Sequence, residues 1–227
     1  MEKPIIAIDG PAASGKGTLA RKLAQTLGFA LLDTGALYRA VAFEVLEAGA
    51  NPESADHAAN AAQSLKTKIE AAAAPADILG NPALREERTG DAASKVAAIP
   101  AVREALFHLQ RDFAKNPGDA YKGAILDGRD IGTVICPDAD LKLFITASTE
   151  VRAQRRLKEL QSKDISATYD PVLADMRARD ARDSERSSAP LKPADDAVLI
   201  DTSDLGADEV FKIVHEKVSA MIQQKTG

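Results

Sequence analysis

The feature that most constrains this chain is a glycine-bounded loop near the N-terminus, placed between an apolar run and a helical pattern. Residues 5–8 are all apolar, and the segment from Gly10 to Thr18 follows almost directly. Gly10 and Gly15 let the backbone curl so that successive N–H groups point at one anion, and Lys16 adds a mobile positive charge. A strand, such a loop and a helix in this order predict a phosphate-binding unit.

The loop departs from the usual pattern G-x-x-x-x-G-K-[ST] at one position. Gly17 stands where a serine or threonine normally follows the lysine, and the hydroxyl comes one residue later, at Thr18. The sequence therefore predicts a nucleoside triphosphate site and leaves the direct metal ligand open. The predicted binding loop consists of Gly10, Pro11, Ala12, Ala13, Ser14, Gly15, Lys16, Gly17 and Thr18.

Further apolar runs alternate with helical patterns along the chain. These runs are Ile5–Asp9, Phe29–Leu32, Ala124–Gly128, Leu141–Ile145 and Val198–Asp201. Strands that alternate with helices form a parallel sheet covered on both faces, so we predict an α/β fold with a P-loop NTPase core over residues 1–227. Ligands of such sheets bind at the carboxyl ends of the strands, where Gly10, Asp33, Asp127 and Thr146 fall.

Helical patterns fill the intervals between these runs. Leu19, Leu23 and Leu27, for example, recur at helical spacing after the phosphate loop. The segment Asp77–Gly90 contains Gly80-Asn81-Pro82 and is predicted to be a loop or short irregular structure. We predict the remaining helices over residues 36–48, 53–70, 92–98, 100–114, 150–161, 171–187 and 207–224.

Composition narrows the class of partner. The 227 residues carry a formal net charge of −5, which argues against nucleic-acid binding through a broad positively charged surface. No apolar run approaches the ~18–20 residues that span a bilayer, and the chain begins with a core strand rather than a signal peptide. Cys136 is the only cysteine, which excludes an internal disulfide and fits a reducing cytoplasm. We expect a monomer in that compartment.

Two strand ends carry charged motifs that allow two interpretations each. Asp33–Arg39 follows the second strand. Either Thr34 caps a helix that carries a surface arginine, or Arg39 is directed at a second anionic group beside the triphosphate. Asp127–Asp130 follows the third run and is either a solvated turn or the carboxylate that organises magnesium in P-loop enzymes.

Two later segments are rich in arginine. Arg179, Asp183 and Arg186 are spaced so that they project from one helix face, which fits either a ladder of intrahelical salt bridges or an anion site. Arg152–Arg156 has the pattern of a basic surface helix. Phosphoryl transfer between two polyanions needs two sets of positioned cations, so these clusters have a common purpose.

Together these motifs resemble the bacterial cytidylate kinase family. The resemblance covers most of the chain, in order, and is far more specific than the phosphate loop alone. Beyond the loop it rests on Leu31–Arg39, Ala93–Ala97, Val102-Arg103, Asp127–Thr133, Arg179–Arg186 and Ala189-Pro190-Leu191.

The resemblance implies transfer of the ATP γ-phosphate to CMP or dCMP, with Mg²⁺ as cofactor. It implies that Lys16, Arg129 and Arg186 are catalytic. It further implies that the acceptor phosphate is held by Arg39, Arg129 and Arg186, and that the cytosine edge contacts Ser94, Arg103 and Asp130. The resemblance places the sugar against Arg179 and Asp183, and Thr34 completes the CMP site.

The resemblance also implies a monophosphate-binding insertion near residues 50–100 and a short lid near residues 155–175. Family members often carry alternating, strand-like sequence in the insertion, whereas Lys66–Gly90 is short and alanine-rich here. The details of that insertion therefore stay open.

Three other functions fit the sequence less well. Another small-molecule P-loop kinase is the nearest alternative. A switch-type GTPase is disfavoured because the chain has no Asn-Lys-x-Asp guanine reader, and because Asp77–Gly80, which matches D-x-x-G, does not follow a buried strand. A nucleic-acid module is disfavoured by three tyrosines, no tryptophan and an acidic balance.

Overall fold

A computed structural model describes residues 2–72 and 75–226 of the chain. Residues 1, 73, 74 and 227 lie outside this description, including two alanines of the alanine-rich stretch. The strands are β1 (Ile5–Asp9), β2 (Ala30–Asp33), β3 (Ala124–Gly128), β4 (Leu141–Thr146) and β5 (Val198–Asp201). The helices are α1 (Lys16–Leu27), α2 (Thr34–Glu47), α3 (Ala55–Ala71), α4 (Pro75–Leu79), α5 (Glu87–Val96), α6 (Pro100–Lys115), α7 (Thr149–Gln161), α8 (Tyr169–Glu185) and α9 (Ala207–Thr226), with a 3₁₀ turn at Pro82–Arg85 and a π-helical turn at Ile131–Ile135.

The strands form one sheet in the order β2-β3-β1-β4-β5. The pairs β1–β3, β1–β4 and β4–β5 are parallel, with Asp9 opposite Gly128 and Thr146 opposite Asp201. The predicted parallel α/β architecture of a P-loop NTPase is thus confirmed. Because the chain crosses from one side of β1 to the other between β3 and β4, the carboxyl ends of these central strands are the expected ligand edge.

The chain divides into two compact units. One is built from the residues up to Leu32 and from Ala114 onward, and the other extends from Asp33 to Phe113. After Asp33, the regular secondary structure of the second unit is helical over the described residues 34–72 and 75–113, with short turns between the helices.

Two separate apolar clusters stabilise the first unit. The larger one buries side chains of the sheet against α1 and α9, including Ile8, Leu23 and Val214. The smaller one joins α7 to α8, and partly buried Ala12 and Ala13 of the phosphate loop pack against it. The smaller cluster consists of the buried residues Ala153, Leu160, Val172 and Met176.

Two local predictions were wrong. The loop predicted up to Gly90 gives way to α5 at Glu87, because Thr89 is fully buried and its hydroxyl donates to the Ala83 carbonyl at 3.1 Å. The N-cap of α2 is Asp33 rather than Thr34, since the Asp33 carboxylate accepts the Ala36 N–H at 3.3 Å. Over residues 2–72 and 75–226, no helix combines the length and apolar character that crossing a membrane requires.

Candidate active site at the carboxyl edge of the sheet

The loop between β1 and α1 has the conformation that its glycines predict. Gly10 and Gly15 have φ angles of +148° and +91°, a region that L side chains rarely adopt. A Cβ on Gly10 would lie 2.0 Å from the carbonyl oxygen of Ile145, so β4 leaves room only for hydrogen at this position. Helix α1 then begins at Lys16, which directs its first N–H groups toward the loop.

Lys16 and Ser14 supply polar groups inside this loop. The Lys16 side chain is buried, donates to the Pro11 carbonyl at 3.3 Å, and has its ammonium 3.8 Å from Oδ1 of Asp127. Within the described chain, the buried hydroxyl of Ser14 has no hydrogen-bond partner. Because a buried, unbonded hydroxyl is costly, a phosphate oxygen is a fitting partner for it.

Gly17, the departure from the usual loop pattern, has a structural explanation. A Cβ at this position would lie only 3.1 Å from Oδ2 of Asp127, tighter than most real contacts of that kind. Asp127 is buried at the end of β3. The missing side chain of Gly17 therefore gives the Asp127 carboxylate room next to the start of α1, while Thr18 is exposed.

Asp9 is a buried carboxylate that our sequence reasoning did not single out. It is the last residue of β1, and its two oxygens accept the N–H groups of Ile131 and Gly132, each at 2.8 Å. Burial raises the pKa of Asp9 to about 7, although those two N–H groups oppose the shift; the charges of Asp130 and Asp127 add to it. Its position at a strand end, immediately before Gly10, was the signal that could have identified it.

Arg129 and Asp183 form a buried ion pair between the β3 turn and α8. Nε of Arg129 donates to Oδ2 of Asp183 at 3.0 Å, and the side chains are 19% and 8% exposed. Burial alone would raise the pKa of Asp183, but Arg129, Arg179 and Arg186 hold it below its ordinary value. Asp183 thus forms an ion pair with a residue outside its own helix.

A second charged pair lies on the same unit. The side chains of Arg186 and Asp130 are almost fully buried, and Nη2 of Arg186 is 3.8 Å from Oδ1 of Asp130. Burial would lower the pKa of Arg129, yet the carboxylates of Asp183, Asp127 and Asp9 raise it. The structure therefore gathers several guanidinium groups and carboxylates at the ends of β1 and β3 and along α8, where fixed charges can stabilise a polyanion.

The other predicted residues belong to the unit from Asp33 to Phe113. The Arg39 guanidinium is 3.9 Å from the Asp33 carboxylate and about one-third exposed. Arg103 is buried, donates to the Ala97 carbonyl at 3.3 Å, and places its guanidinium 5.6 Å from the ring of Tyr38. Two further predicted residues of this unit, Thr34 and Ser94, are also buried.

Helix α7 is not the basic surface helix that its sequence suggested. Arg152 is only 4% exposed. Arg155 donates to the carbonyl of Thr202 at 2.6 Å and to its hydroxyl at 3.0 Å, and that hydroxyl donates to the Ser14 carbonyl at 3.3 Å. These arginines are part of the support of the phosphate loop, a role that helical periodicity alone does not reveal.

Comparisons with known proteins found relatives that match over most of the chain. Residues 6–220 match a family model described as Cytidylate kinase. Proteins named "Cytidylate kinase" from Paramagnetospirillum magneticum and Rhodospirillum rubrum are 56% and 57% identical over 207 residues, covering 91% of this chain and 93% of each relative. One from Methylocella silvestris is 55% identical over 208 residues, covering 92% of this chain and 90% of that relative.

A solved structure gives a further likeness at the level of the fold. The crystal structure of an uncharacterized protein from Eubacterium ventriosum matches with a TM-score of 0.54 and 13% sequence identity. The match covers 96% of this chain and 99% of that chain. At this level of identity the likeness concerns the fold alone.

Proposed function

Because the chain belongs to the cytidylate kinase family, we propose that the charged groups described above bind the two nucleotides of that reaction. The protein is a nucleoside monophosphate kinase, which transfers the γ-phosphate of ATP to CMP or dCMP and yields ADP with CDP or dCDP. The observation that best supports the proposed site is the pair of ion pairs Arg129–Asp183 and Arg186–Asp130. Burying these charges costs desolvation energy, and charged groups in such environments cluster at functional sites.

On the donor side, the phosphate loop binds the ATP phosphates. Its N–H groups surround the anion, and the Lys16 ammonium follows the β- and γ-phosphates. The buried Ser14 hydroxyl donates to a phosphate oxygen, which supplies its missing hydrogen bond. We assign the whole segment Gly10–Thr18 to this role.

Mg²⁺ fits the donor side, and Asp127 is its proposed protein ligand. Over residues 2–72 and 75–226, no cluster of three or more His, Cys, Asp or Glu side chains could enclose a metal by itself. Mg²⁺ is commonly held by one or two carboxylates plus substrate phosphates, and the Asp127 carboxylate lies beside the loop that binds those phosphates. When bound, the metal neutralises charge on the transferring phosphoryl group.

On the acceptor side, the proposed roles follow the chemistry of each side chain. Arginine guanidinium groups bind phosphate oxygens in a fork, and Ser, Arg and a carboxylate match the N4 donor and the N3 and O2 acceptors of cytosine. We assign Arg39, Arg129 and Arg186 to the acceptor phosphate, Ser94, Arg103 and Asp130 to the base, Arg179 and Asp183 to the sugar, and Thr34 to the same nucleotide.

This assignment predicts a preference for cytosine over uracil. Uracil presents a donor at N3 and an acceptor at position 4, the reverse of cytosine. A side chain that donates to N3 or accepts from N4 would lose its partner, and an unpartnered buried polar group is costly. Discrimination against UMP thus follows from the buried state of Ser94, Arg103 and Asp130.

The chemical step is an in-line displacement with no covalent enzyme intermediate. The acceptor phosphate oxygen is already anionic, so the protein needs no strong general base. Lys16, Arg129 and Arg186 instead stabilise the negative charge that spreads over the phosphoryl oxygens in the transition state. Catalysis therefore depends on how these cations are positioned.

We also propose the finer organisation that the sequence suggested. The residues near 50–100 act as the monophosphate-binding insertion, and those near 155–175 act as a short lid that excludes water. The protein acts as a monomer in the cytoplasm and takes small nucleotides rather than nucleic acid. The net charge of −5 supports the last point.

The first experiment measures ADP release from ATP and Mg²⁺ with CMP, dCMP, UMP, AMP and GMP offered separately at equal concentration. We expect turnover mainly with CMP and dCMP. Preference for another acceptor would leave a kinase in place and refute the base-reading roles of Ser94, Arg103 and Asp130.

A substitution in α8 tests the acceptor assignment directly. Asp183→Ala should raise the KM for CMP by roughly tenfold or more, because a charge-assisted hydrogen bond to the sugar is worth about 1.5–3 kcal/mol. The KM for ATP should stay near that of the wild type. Asp175→Ala, which removes an exposed carboxylate from the same helix, is the matched control. A rise confined to the KM for ATP would move α8 to the donor side.

A further inference from the structure

Arg152 is a buried cation whose hydrogen-bonding capacity is used completely. Its side chain is 5% exposed, and its guanidinium makes five hydrogen bonds. Nε donates to the Ala147 carbonyl at 2.9 Å, and Nη2 donates to the Thr149 hydroxyl at 2.9 Å. The remaining contacts reach Ala12 and Asp180. Since a guanidinium has five N–H donors, each contact can use one of them.

The partners of Arg152 belong to three different parts of the first unit. Ala147 and Thr149 lie at the start of α7, while the Ala12 carbonyl, at 3.3 Å from Nη1, belongs to the phosphate loop. Asp180 belongs to α8 and accepts from both terminal nitrogens, at 3.0 Å and 2.6 Å. One side chain thus joins the donor loop to the helix that carries the proposed acceptor groups.

Asp180 occupies an informative place on α8. Arg179 immediately precedes it, Asp183 lies one helical turn later, and Arg186 caps the end of the helix. The position of Asp180 therefore determines the positions of Arg179, Asp183 and Arg186 along the axis of α8. The bidentate form of the Arg152–Asp180 contact fixes direction as well as distance.

The two helices do not need this ion pair merely to stay together. The apolar cluster of Val172, Met176 and their neighbours already packs α7 against α8. Apolar contacts are non-directional, however, and they allow a helix to slide or rotate by a small amount. A directed, bidentate contact removes that freedom.

We propose that the Arg152–Asp180 pair is a positioning device for phosphoryl transfer. It holds α8 at a fixed place relative to the phosphate loop, so that the charges of Asp183 and Arg186 meet the acceptor where the donor phosphate is presented. This inference rests on the proposed acceptor roles of those two residues. Arg152 acts through its neighbours and does not itself contact the reacting atoms.

The kinetic signature of such a device differs from that of a binding residue. Without the Arg152–Asp180 pair, the groups that bind each nucleotide are still present, so the KM values for ATP and CMP should change little. The two phosphates meet correctly only in the transition state, and a misplacement of about 1 Å costs up to roughly 100-fold in rate. Loss of Arg152 should therefore appear in kcat.

The test uses Arg152→Lys, which keeps the charge but cannot form the five-bond fork. We expect kcat to fall roughly 10- to 100-fold. Asp180→Asn keeps the shape of the partner and should lower kcat in the same direction but less; it also provides the test if the lysine variant does not fold. The double variant should be no slower than Arg152→Lys alone, because the two residues act as one unit.

The matched control is Arg177→Lys. Arg177 forms an exposed ion pair with Glu150, at 3.1 Å, between the same two helices. This variant should keep the wild-type kcat. Thermal unfolding of every variant is measured in parallel, so that a loss of stability can be distinguished from a loss of turnover.

Two results would overturn the inference. Wild-type kcat in Arg152→Lys and Asp180→Asn, with only a lower melting temperature, would make the pair a stability element. A raised KM for ATP with unchanged kcat would place Arg152 in the donor site. Asp183→Ala is assayed alongside: if it leaves the KM for CMP unchanged, the proposed acceptor role fails and the positioning role falls with it.

Discussion

Replacing Asp9 with asparagine removes a buried charge without changing the shape of the side chain. In the folded protein this carboxylate accepts the N–H groups of Ile131 and Gly132, each at 2.8 Å. Burial raises its pKa from an ordinary value of 3.8 to about 7, even though both N–H groups oppose the shift. The folded state therefore holds this proton more tightly than the unfolded chain does.

The sign of the pH dependence follows from that difference. Below pH 3.8 Asp9 is protonated in both states and contributes no penalty. As the pH rises from there to about 7, only the unfolded chain releases the proton readily, so the free energy of unfolding falls. Above pH 7 the loss of stability caused by burying the charged Asp9 has reached its full size. At about 1.4 kcal/mol for each pKa unit between 3.8 and 7, this loss amounts to about 4 kcal/mol.

Asparagine lacks this dependence but introduces a fixed cost. Its oxygen can accept one of the two backbone N–H groups, while its NH₂ group faces the other, which costs about 1–3 kcal/mol at any pH. We therefore expect Asp9→Asn to be the less stable protein near pH 4.5 and the more stable one near pH 8. Between these values the difference in free energy of unfolding should change by about 3 kcal/mol.

Urea denaturation from pH 4.5 to 8.5, with EDTA and without nucleotide, measures this difference. The control is Asp140→Asn, at the opposite end of β1, where the carboxylate accepts the Ile5 N–H and pairs with Lys225. That substitution breaks an ion pair and should cost stability at neutral pH. If the free energies of unfolding of Asp9→Asn and wild type instead differ by a constant amount from pH 4.5 to 8.5, the desolvation argument for Asp9 is refuted.

Two further substitutions test the phosphate loop. Lys16→Ala should lower kcat by about 100-fold or more with every acceptor, because the transferring phosphoryl group loses the positive charge of the lysine. The control is Lys22→Ala, which changes a lysine on the exposed face of α1. It should keep the wild-type turnover in the same ADP-release assay. Gly10→Ala should unfold the protein or cost several kcal/mol in urea denaturation, about the size of an overpacked core plus strain, because its Cβ would meet Ile145. The control is Gly49→Ala: Gly49 also has a positive φ, but a Cβ there would meet no other atom, so this variant measures the backbone strain alone. An equal loss of stability in Gly49→Ala would refute the clash between the Gly10 Cβ and Ile145.

Much of the fold could be predicted because its signals are local. The apolar run before Gly10 predicts β1, and the glycines of the loop predict the backbone that the phosphate site needs. Asp127 follows its own buried strand, so the strand order along the chain already places it at the ligand edge. Each of these inferences uses neighbours within a few residues.

The remaining features depend on partners that are distant in sequence. Asp9 is buried because Ile131, 122 residues later, supplies an N–H group for it. The arginine at 152 is buried because Asp180, 28 residues away, neutralises it, whereas its own helix resembles a solvated one. Helix α5 begins earlier than its glycine suggests, since packing of Thr89 outweighs local propensity. None of these partners leaves a periodic signal.

The separate cluster between α7 and α8 has a consequence for partial unfolding. Its buried core is much smaller than that of the sheet, so we expect local opening of these two helices to cost less free energy than opening of the strands. Ala12 and Ala13 pack on the same cluster, which means that such an opening also removes the support of the phosphate loop. A ligand held by the intact loop favours the closed form by mass action. If the loop binds ATP as proposed, the nucleotide is then a source of local folding free energy for the helices next to it.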